Sequence, residues 1–284
     1  MNKYFTLLML AFIACEKPST TEKEEEQAPA YQLIEADGIY VEVFDSTYTD
    51  ENRYTDNNQI YLPGRAFVYD FQHQTGAGKV QSFKDGKDPE KWATSWHFVE
   101  PAAENAVKQV IITSRSGLSP FVESIPDYNQ TIVSYDYPDA AGNSSFNSMS
   151  GVIENEKNTW IHPPRDKYFR ILELNPFPFV QAPFEVGTSW DWSLRIGAAW
   201  GDERWKTWEG VIENKYQYEI KEKKLYQTAL GEIECMEIHA TATSKLGETQ
   251  LISLFNTEYG FVKLDYSNID GSKTLLELVE VREP

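Results

Sequence analysis

SWDWSLRIG, residues 189–197, sets Trp190, Trp192, Leu194 and Ile196 at every second position, with Asp191, Ser193 and Arg195 between them. A period of two sends successive side chains to opposite faces of an extended chain, so the stretch reads as a strand with one buried and one wetted face. Wound as a helix, the same residues would spread Trp190, Trp192 and Leu194 around the whole circumference. The pattern recurs on either side. NKYQYEI, 214–220, aligns Tyr216, Tyr218 and Ile220; RAFVYDF, 65–71, aligns Phe67, Tyr69 and Phe71. GIYVEVF, 38–44, sets Ile39, Val41 and Val43 against Tyr40 and Glu42, while KQVIITSRSG, 108–117, and QTIVSYDY, 130–137, read as compact buried strands. Aromatic and β-branched residues fit a pleated, half-buried surface, which suits an aromatic content of 14%.

The last sixty residues read as a meander. KKLYQTALGEIECMEIHATATS (223–244), ETQLISLFN (248–256), GFVKLDYSN (260–268) and KTLLELVEV (273–281) are divided by turns, the best of them at Asp270-Gly271. One helix is expected, in DPEKWATSWHFV (88–99), with Asp88 as cap, Pro89 in the first turn, and Trp92, Trp96 and Val99 at helical spacing. No solenoid or propeller period appears. The expected fold class is all-β, mainly antiparallel: a curved sheet, half-barrel or sandwich with at most one or two short helices. The globular domain spans 31–284, with a candidate subdivision near 150.

Ahead of it, MNKYFTLLMLAFIA (1–14) has one cation, Lys3, then an apolar run ending in Ala14. It falls short of the ~20 apolar residues a membrane span needs and has the layout of a secretory signal peptide. FIAC, 12–15, resembles the lipobox of bacterial lipoproteins, with Phe12 and Ile13 where Leu and a small residue are commonest. The resemblance implies that the Cys15 thiol carries a diacylglyceryl thioether, because only a thiol accepts that group readily. It further implies an outer-membrane, lipid-anchored protein, facing the surface or the periplasm. Residues 15–30 form an acidic tether: EKPSTTEKEEEQAPA (16–30) holds five Glu and nothing apolar larger than Ala, too little to offset the entropy of ordering. Those acids also resemble the export tag of surface-exposed lipoproteins. With Cys15 acylated, Cys235 has no partner and reads as a small buried hydrophobe.

Farther along, LGEIECMEIHATATSKLGETQLISLFNTEYGFVKLDY (230–266) resembles the lipoprotein-carrier-like half-barrels of bacterial envelopes. The likeness implies a curved antiparallel sheet around an apolar interior and carries over no functional residue. A net charge of −18 excludes a nucleic-acid binder, which needs clustered Lys and Arg, and an electrostatic grip on anionic lipid.

Two stretches are candidate sites. Five tryptophans fall between 190 and 208. Trp190 and Trp192 read as core; Trp200, Trp205 and Trp208, around the Gly-bounded IGAAWGDER loop, are candidate ligand contacts, since indole faces stack on sugars and acyl chains. The second stretch, NTWIHPPRDKYFRILELNPFPFVQAPFEVG (158–187), has five prolines that hold it extended and bar it from a central strand. It either lines a groove with Trp160, His162, Arg165, Tyr168 and Arg170, or wraps a sheet edge as a rigid connector. The four histidines are too scattered for a metal site, and TDENRYTDNN (49–58) reads as a solvated turn rather than a calcium loop. No nucleophile elbow, phosphate loop or cofactor motif occurs. The expected function is that of a non-enzymatic envelope lipoprotein binding an apolar (lipid) or glycan ligand or an envelope partner protein; a carbohydrate-active hydrolase and a structural subunit of a surface assembly are the alternatives.

Overall fold

The computed structural model describes residues 31–88, 90–91, 93–120 and 129–284. The signal peptide, Cys15 and the tether lie outside the described residues. The chain forms β1 (Tyr31–Ala36), β2 (Ile39–Phe44), β3 (Ala66–Gln74), β4 (Val80–Asp85), β5 (Trp96–Val99), β6 (Gln109–Ser114), β7 (Thr131–Pro138), β8 (Ser144–Glu154), β9 (Asn158–Ile161) and β10 (Phe179–Gln181). It continues with β11 (Ser189–Gly197), β12 (Val211–Thr228), β13 (Gly231–Ser244), β14 (Gly247–Asn256), β15 (Gly260–Ser267) and β16 (Lys273–Arg282).

All pairings are antiparallel, and one sheet runs in the order β10-β9-β8-β7-β6-β3-β16-β15-β14-β13-β12-β11, with β4 and β5 branching from β3. Two meanders, β6 to β10 and β11 to β16, are thus welded by β3, which sits between β6 and β16. Position 150 lies inside β8, the third strand from the β10 end of this continuous sheet. The sheet twists and curls into a nearly closed barrel whose ends are β10 and β11. The fold class expected from the alternating residues is the observed one.

SWDWSLRIG is β11, and its inward face meets the inward face of β12. Trp190 lies opposite Tyr218 and Trp192 opposite Tyr216. The facing rings stack, 5.2 Å and 4.8 Å apart between centroids and within 4° and 20° of parallel. Such cross-strand pairs are the unit of sheet stabilisation, and these four rings exclude water from one wall of the barrel.

The interior is filled by the proline-rich segment. Lys167–Leu174 forms a 3-10 helix with every residue buried, and residues 166–180 are buried throughout. Phe169 touches Phe71, Tyr137 and Phe83 at 5.0 to 5.5 Å between centroids. Residues 166–180 form a plug, while the flanks of the segment supply β9 and β10 at the sheet's end. Proline suits the position because it brings no backbone N–H that an apolar interior would have to satisfy. Some of the plug's carbonyls are met by backbone N–H groups, others by polar side chains set into otherwise apolar strand faces. Asn214 Nδ2 and Thr249 Oγ1 donate to Leu174 O at 3.0 and 2.8 Å, and Tyr218 Oη donates to Phe177 O at 3.1 Å. Tyr168 Oη pairs with Thr274 Oγ1 at 2.6 Å and His73 Nδ1 at 2.8 Å.

The expected helix at 88–99 is not formed. Pro89 and Trp92 lie outside the described residues, but Trp96–Val99 is β5, with Trp96 opposite Asp85 and Phe98 opposite Phe83. The strand wins because its period of two brings Trp96 and Phe98 to one face, where both reach the plug residue Tyr168, at 5.7 and 5.6 Å. Val43 and Glu42 also depart from the expected alternation: Val43 is exposed and Glu42 buried, its carboxylate accepting a hydrogen bond from Asn57 Nδ2. Cys235 is buried and unpaired among the described residues. In 49–58 the polar side chains are spent on turns, Asp50 Oδ1 accepting from Asn52 N and Asn58 Nδ2 donating to Tyr61 O.

Asn214→Ala removes one of the two donors to Leu174 O and is expected to cost about 0.5–1.5 kcal/mol in urea unfolding. Gln217→Ala, facing outward on the same strand, should stay within about 0.5 kcal/mol. Equal effects would contradict the role given to the inward polar residues.

Candidate functional site

The two ends of the sheet do not join by a hydrogen-bonded ladder; β10 pairs only with β9 and β11 only with β12. Side chains bridge the seam. Trp192 of β11 lies 6.0 Å from Trp160 of β9, 5.4 Å from Phe177 and 6.3 Å from Phe179. Over this seam sits the separate hairpin β1–β2. Asp37 and Gly38 form its turn with φ of 51° and 85°, the doubly positive geometry of a two-residue type I′ turn. Tyr40 N donates to Asn158 Oδ1 at 2.7 Å, and Gln181 Nε2 donates to Gly38 O at 2.8 Å. The edge of the sheet is therefore covered by polar side chains rather than extended by another strand.

Beneath the hairpin the seam opens into a cleft of about 420 Å³, within the ~300–1,000 Å³ usual for small-molecule sites. Its apolar floor comes from Trp160, Phe177, Trp192 and Ile196, with Ile39 of the hairpin and Leu194 at its sides. At its polar end stand His162, Arg165, Glu173 and Trp200, with Arg195 at the rim.

Glu173 belongs to the plug's 3-10 helix, so its carboxyl reaches the cleft from the protein interior, with its side chain only 4% exposed. Oε1 lies 3.4 Å from His162 Nε2 and 3.7 Å from Arg165 Nε, yet makes no hydrogen bond. The tautomer explains why. His162 Nδ1 lies 2.9 Å from the carbonyl of Pro163, which only accepts, so Nδ1 carries the proton and Nε2 presents a lone pair to Glu173. A carboxylate would face that lone pair with another. A protonated carboxyl relieves the clash by donating to Nε2. Burial acts in the same sense on both groups: it pushes Glu173 up to about 7, against the pull of Arg165 and Arg170, and pushes His162 down to about 3, helped by Arg165. Below about pH 7 the dyad is a neutral acid beside a neutral imidazole.

Trp200 ends a short 3-10 turn, Ala198–Trp200, and its ring is held by two guanidiniums, Arg165 at 4.7 Å and Arg170 at 5.0 Å. Arg170, buried in the plug, donates through Nη2 to Ala199 O and so ties this turn down. The cleft thus gathers Trp200, His162 and Arg165 from the candidate residues, together with Trp160. It does not gather the others. Tyr168 is sealed in the core at 1% exposure. Trp205 is buried against Trp96, 6.1 Å away and nearly parallel, while Trp208 is half-buried against Gly201. The cause is Arg204, which donates to Trp96 O and Thr94 O at 2.9 and 3.1 Å, lies over the Trp96 ring, and clamps the loop onto β5. No row of exposed indoles forms there.

Sequence reasoning missed Glu173, one acid among 44, and the Asp37-Gly38 hairpin turn. The D-G dipeptide between alternating residues was the available signal for the turn; for Glu173 there was none. Among the described residues no group of His, Cys, Asp or Glu is placed to hold a metal, and no helix is long and apolar enough to cross a membrane.

No protein-family model matches the chain, and no curated protein does. Among solved structures it is similar to a Bacteroides fragilis protein provisionally described as exported, with a YmcC-like fold. That match has 10% identity and a TM-score of 0.44, over 79% of this chain and 98% of the other. It is also similar to a Parabacteroides distasonis protein provisionally described as a lipoprotein, at 10% identity and a TM-score of 0.43, over 78% and 97%. The likeness assigns no family.

Glu173→Gln tests the neutral dyad. Glu173 rises from an ordinary value of 4.5 to about 7 on folding, so between those pH values the folded state keeps a proton that the unfolded chain has released. Its contribution is therefore full below about pH 4.5 and lost as pH climbs through 7, a change on the order of 3 kcal/mol. The glutamine variant has no such proton to lose. Its stability relative to wild type should rise by that amount between pH 4.5 and 8 in urea titrations, with the His162 contribution common to both proteins. A difference that does not move with pH would mean that Glu173 is ionised throughout.

Proposed function

We propose that this protein is a lipid-anchored envelope protein that binds a small, largely apolar ligand in the seam cleft. The single observation behind the binding role is that cleft: an aromatic floor where the two ends of the sheet meet, beside a buried neutral acid and a guanidinium with unused donors. The barrel interior is occupied by the plug, which leaves the seam rather than the centre for a ligand. The anchor rests on the lipobox-like FIAC at 12–15 and the acidic tether after it. Two acyl chains or more on Cys15 hold a protein to a bilayer firmly, where one gives only marginal binding. The outer membrane is the destination such a signal implies.

Two other readings keep particular support. A carbohydrate hydrolase would use Glu173 as the raised acid, but needs a second carboxylate about 5–9 Å away. Asp37, at the hairpin tip, is the only other carboxylate among the described residues lining the cleft. A partner protein would dock on exposed apolar side chains, of which Leu225, 60% exposed, is the most prominent on the sheet.

The anchor predicts that Cys15→Ser moves the protein from the membrane pellet to the soluble fraction and abolishes labelling with an alkyne fatty acid; unchanged pelleting with no label in either form would overturn it. For the cleft, the full chain purified in detergent from its own host should retain a small ligand in native mass spectrometry. Leu194→Trp, which fills the cleft from β11, should lose it. A clean apo mass for both, with no binding across an amphiphile panel, would discard the ligand role.

A further inference from the structure

The polar end of the cleft has a charge arrangement that selects among ligands. Arg165 is 37% exposed, and among the described residues its guanidinium donates no hydrogen bond. Its nearest acid, Glu173, stands 3.7 Å away without bonding to it, and burial favours its neutral form. Arg165 thus faces the cleft with no ionic partner at its deep end. Stacking on Trp200 at 4.7 Å holds the guanidinium in place, so its fork is ordered before any ligand arrives. Arg195, exposed at the rim and likewise without a bonded partner among the described residues, adds a second positive charge; Asp37, exposed on the opposite lip, is the one fixed negative charge among the described residues lining the cleft. In a chain of net charge −18, the described residues of this cleft are cationic on balance.

We infer that the ligand is an amphiphile with a single carboxylate, its head accepting two hydrogen bonds from the Arg165 fork and its apolar body lying on Trp160, Phe177 and Trp192. The inference rests on the cleft being a binding site, as proposed above. A planar carboxylate matches the guanidinium fork in a bidentate pair, and one negative charge balances one buried-side cation. A dianionic head would set its second charge beside the Glu173 carboxyl, away from Arg195 at the rim and from Arg170, which is committed to Ala199 O. The Arg165 guanidinium does not offset that cost in desolvation. The neutral Glu173–His162 dyad serves the same end, since an ionised Glu173 would compete for Arg165 and repel the head.

The probe is 4-phenylbutyrate, compared with its neutral isostere 4-phenylbutanamide and with 3-phenylpropyl phosphate. Binding is measured by calorimetry on the full chain in nanodiscs, with empty nanodiscs as the blank. The acid should bind at least tenfold tighter than the amide. Arg165→Gln should bring acid binding down to the level of the amide, and Arg165→Lys, which keeps the charge without the fork, should restore part of the preference. Thermal melting of each variant establishes that it is folded. Equal affinities for acid and amide, both abolished by Leu194→Trp, would sink the carboxylate and leave the cleft standing as a binding site. A preference that survives Arg165→Gln, or tighter binding of the phosphate, would also overturn it. No binding of any probe, in wild type or variants, would overturn this inference and the cleft reading together.

Discussion

An irregular stretch of backbone inside an apolar barrel must find a partner for every carbonyl and amide it carries, or pay several kcal/mol for each failure. The plug at 166–180 lives under that constraint, and much of the surrounding sheet answers to it. Prolines thin out its donors. Asn214, Thr249 and Thr274 interrupt strand faces that are otherwise aromatic and aliphatic, and each meets a plug group. Tyr218 does both tasks at once, stacking on Trp190 while its hydroxyl holds Phe177 O. These contacts fix the plug's height and rotation within the barrel, and with them the place where Glu173 emerges.

The seam follows from the same arrangement. A plug wide enough to hold Tyr168, Phe169 and Leu172 at zero or one per cent exposure spreads the wall around it. The two end strands then meet through side chains instead of a ladder. An open seam is an exposed pair of edges, and the β1–β2 hairpin with Asn158 and Gln181 shields part of it. What stays uncovered is the cleft. Its floor is core aromatics and its polar end is the plug's own acid, so the site is an outgrowth of the packing problem and not an addition to it.

Much of the fold was legible because strands advertise themselves. Alternation in 189–197 and 214–220 gave both the strands and the inward faces, and those faces proved to stack ring on ring. The cleft was only partly legible. His162, Arg165 and Trp200 carry residue types that attract attention, but their meeting depends on a plug threading the barrel, which local periodicity does not encode. Trp96 shows the opposite failure. Its spacing from Trp92 and Val99 suits a helix, and what decides otherwise is the distant Tyr168, whose ring is reached only from an extended chain. Trp205 misleads for a similar reason, since Arg204 draws its loop onto β5.

The position of β3 has a consequence for assembly. Ala66 pairs with Arg282 on one side and with Thr113 on the other, so an early strand is flanked by the very last one. A chain emerging from its N-terminus must keep one rim of β3 vacant until β16 is free. Closure thus waits on a strand about two hundred residues farther along, and the two meanders remain separate leaves until it arrives. Such an architecture stays unfinished, and hence threadable, for as long as β16 is withheld.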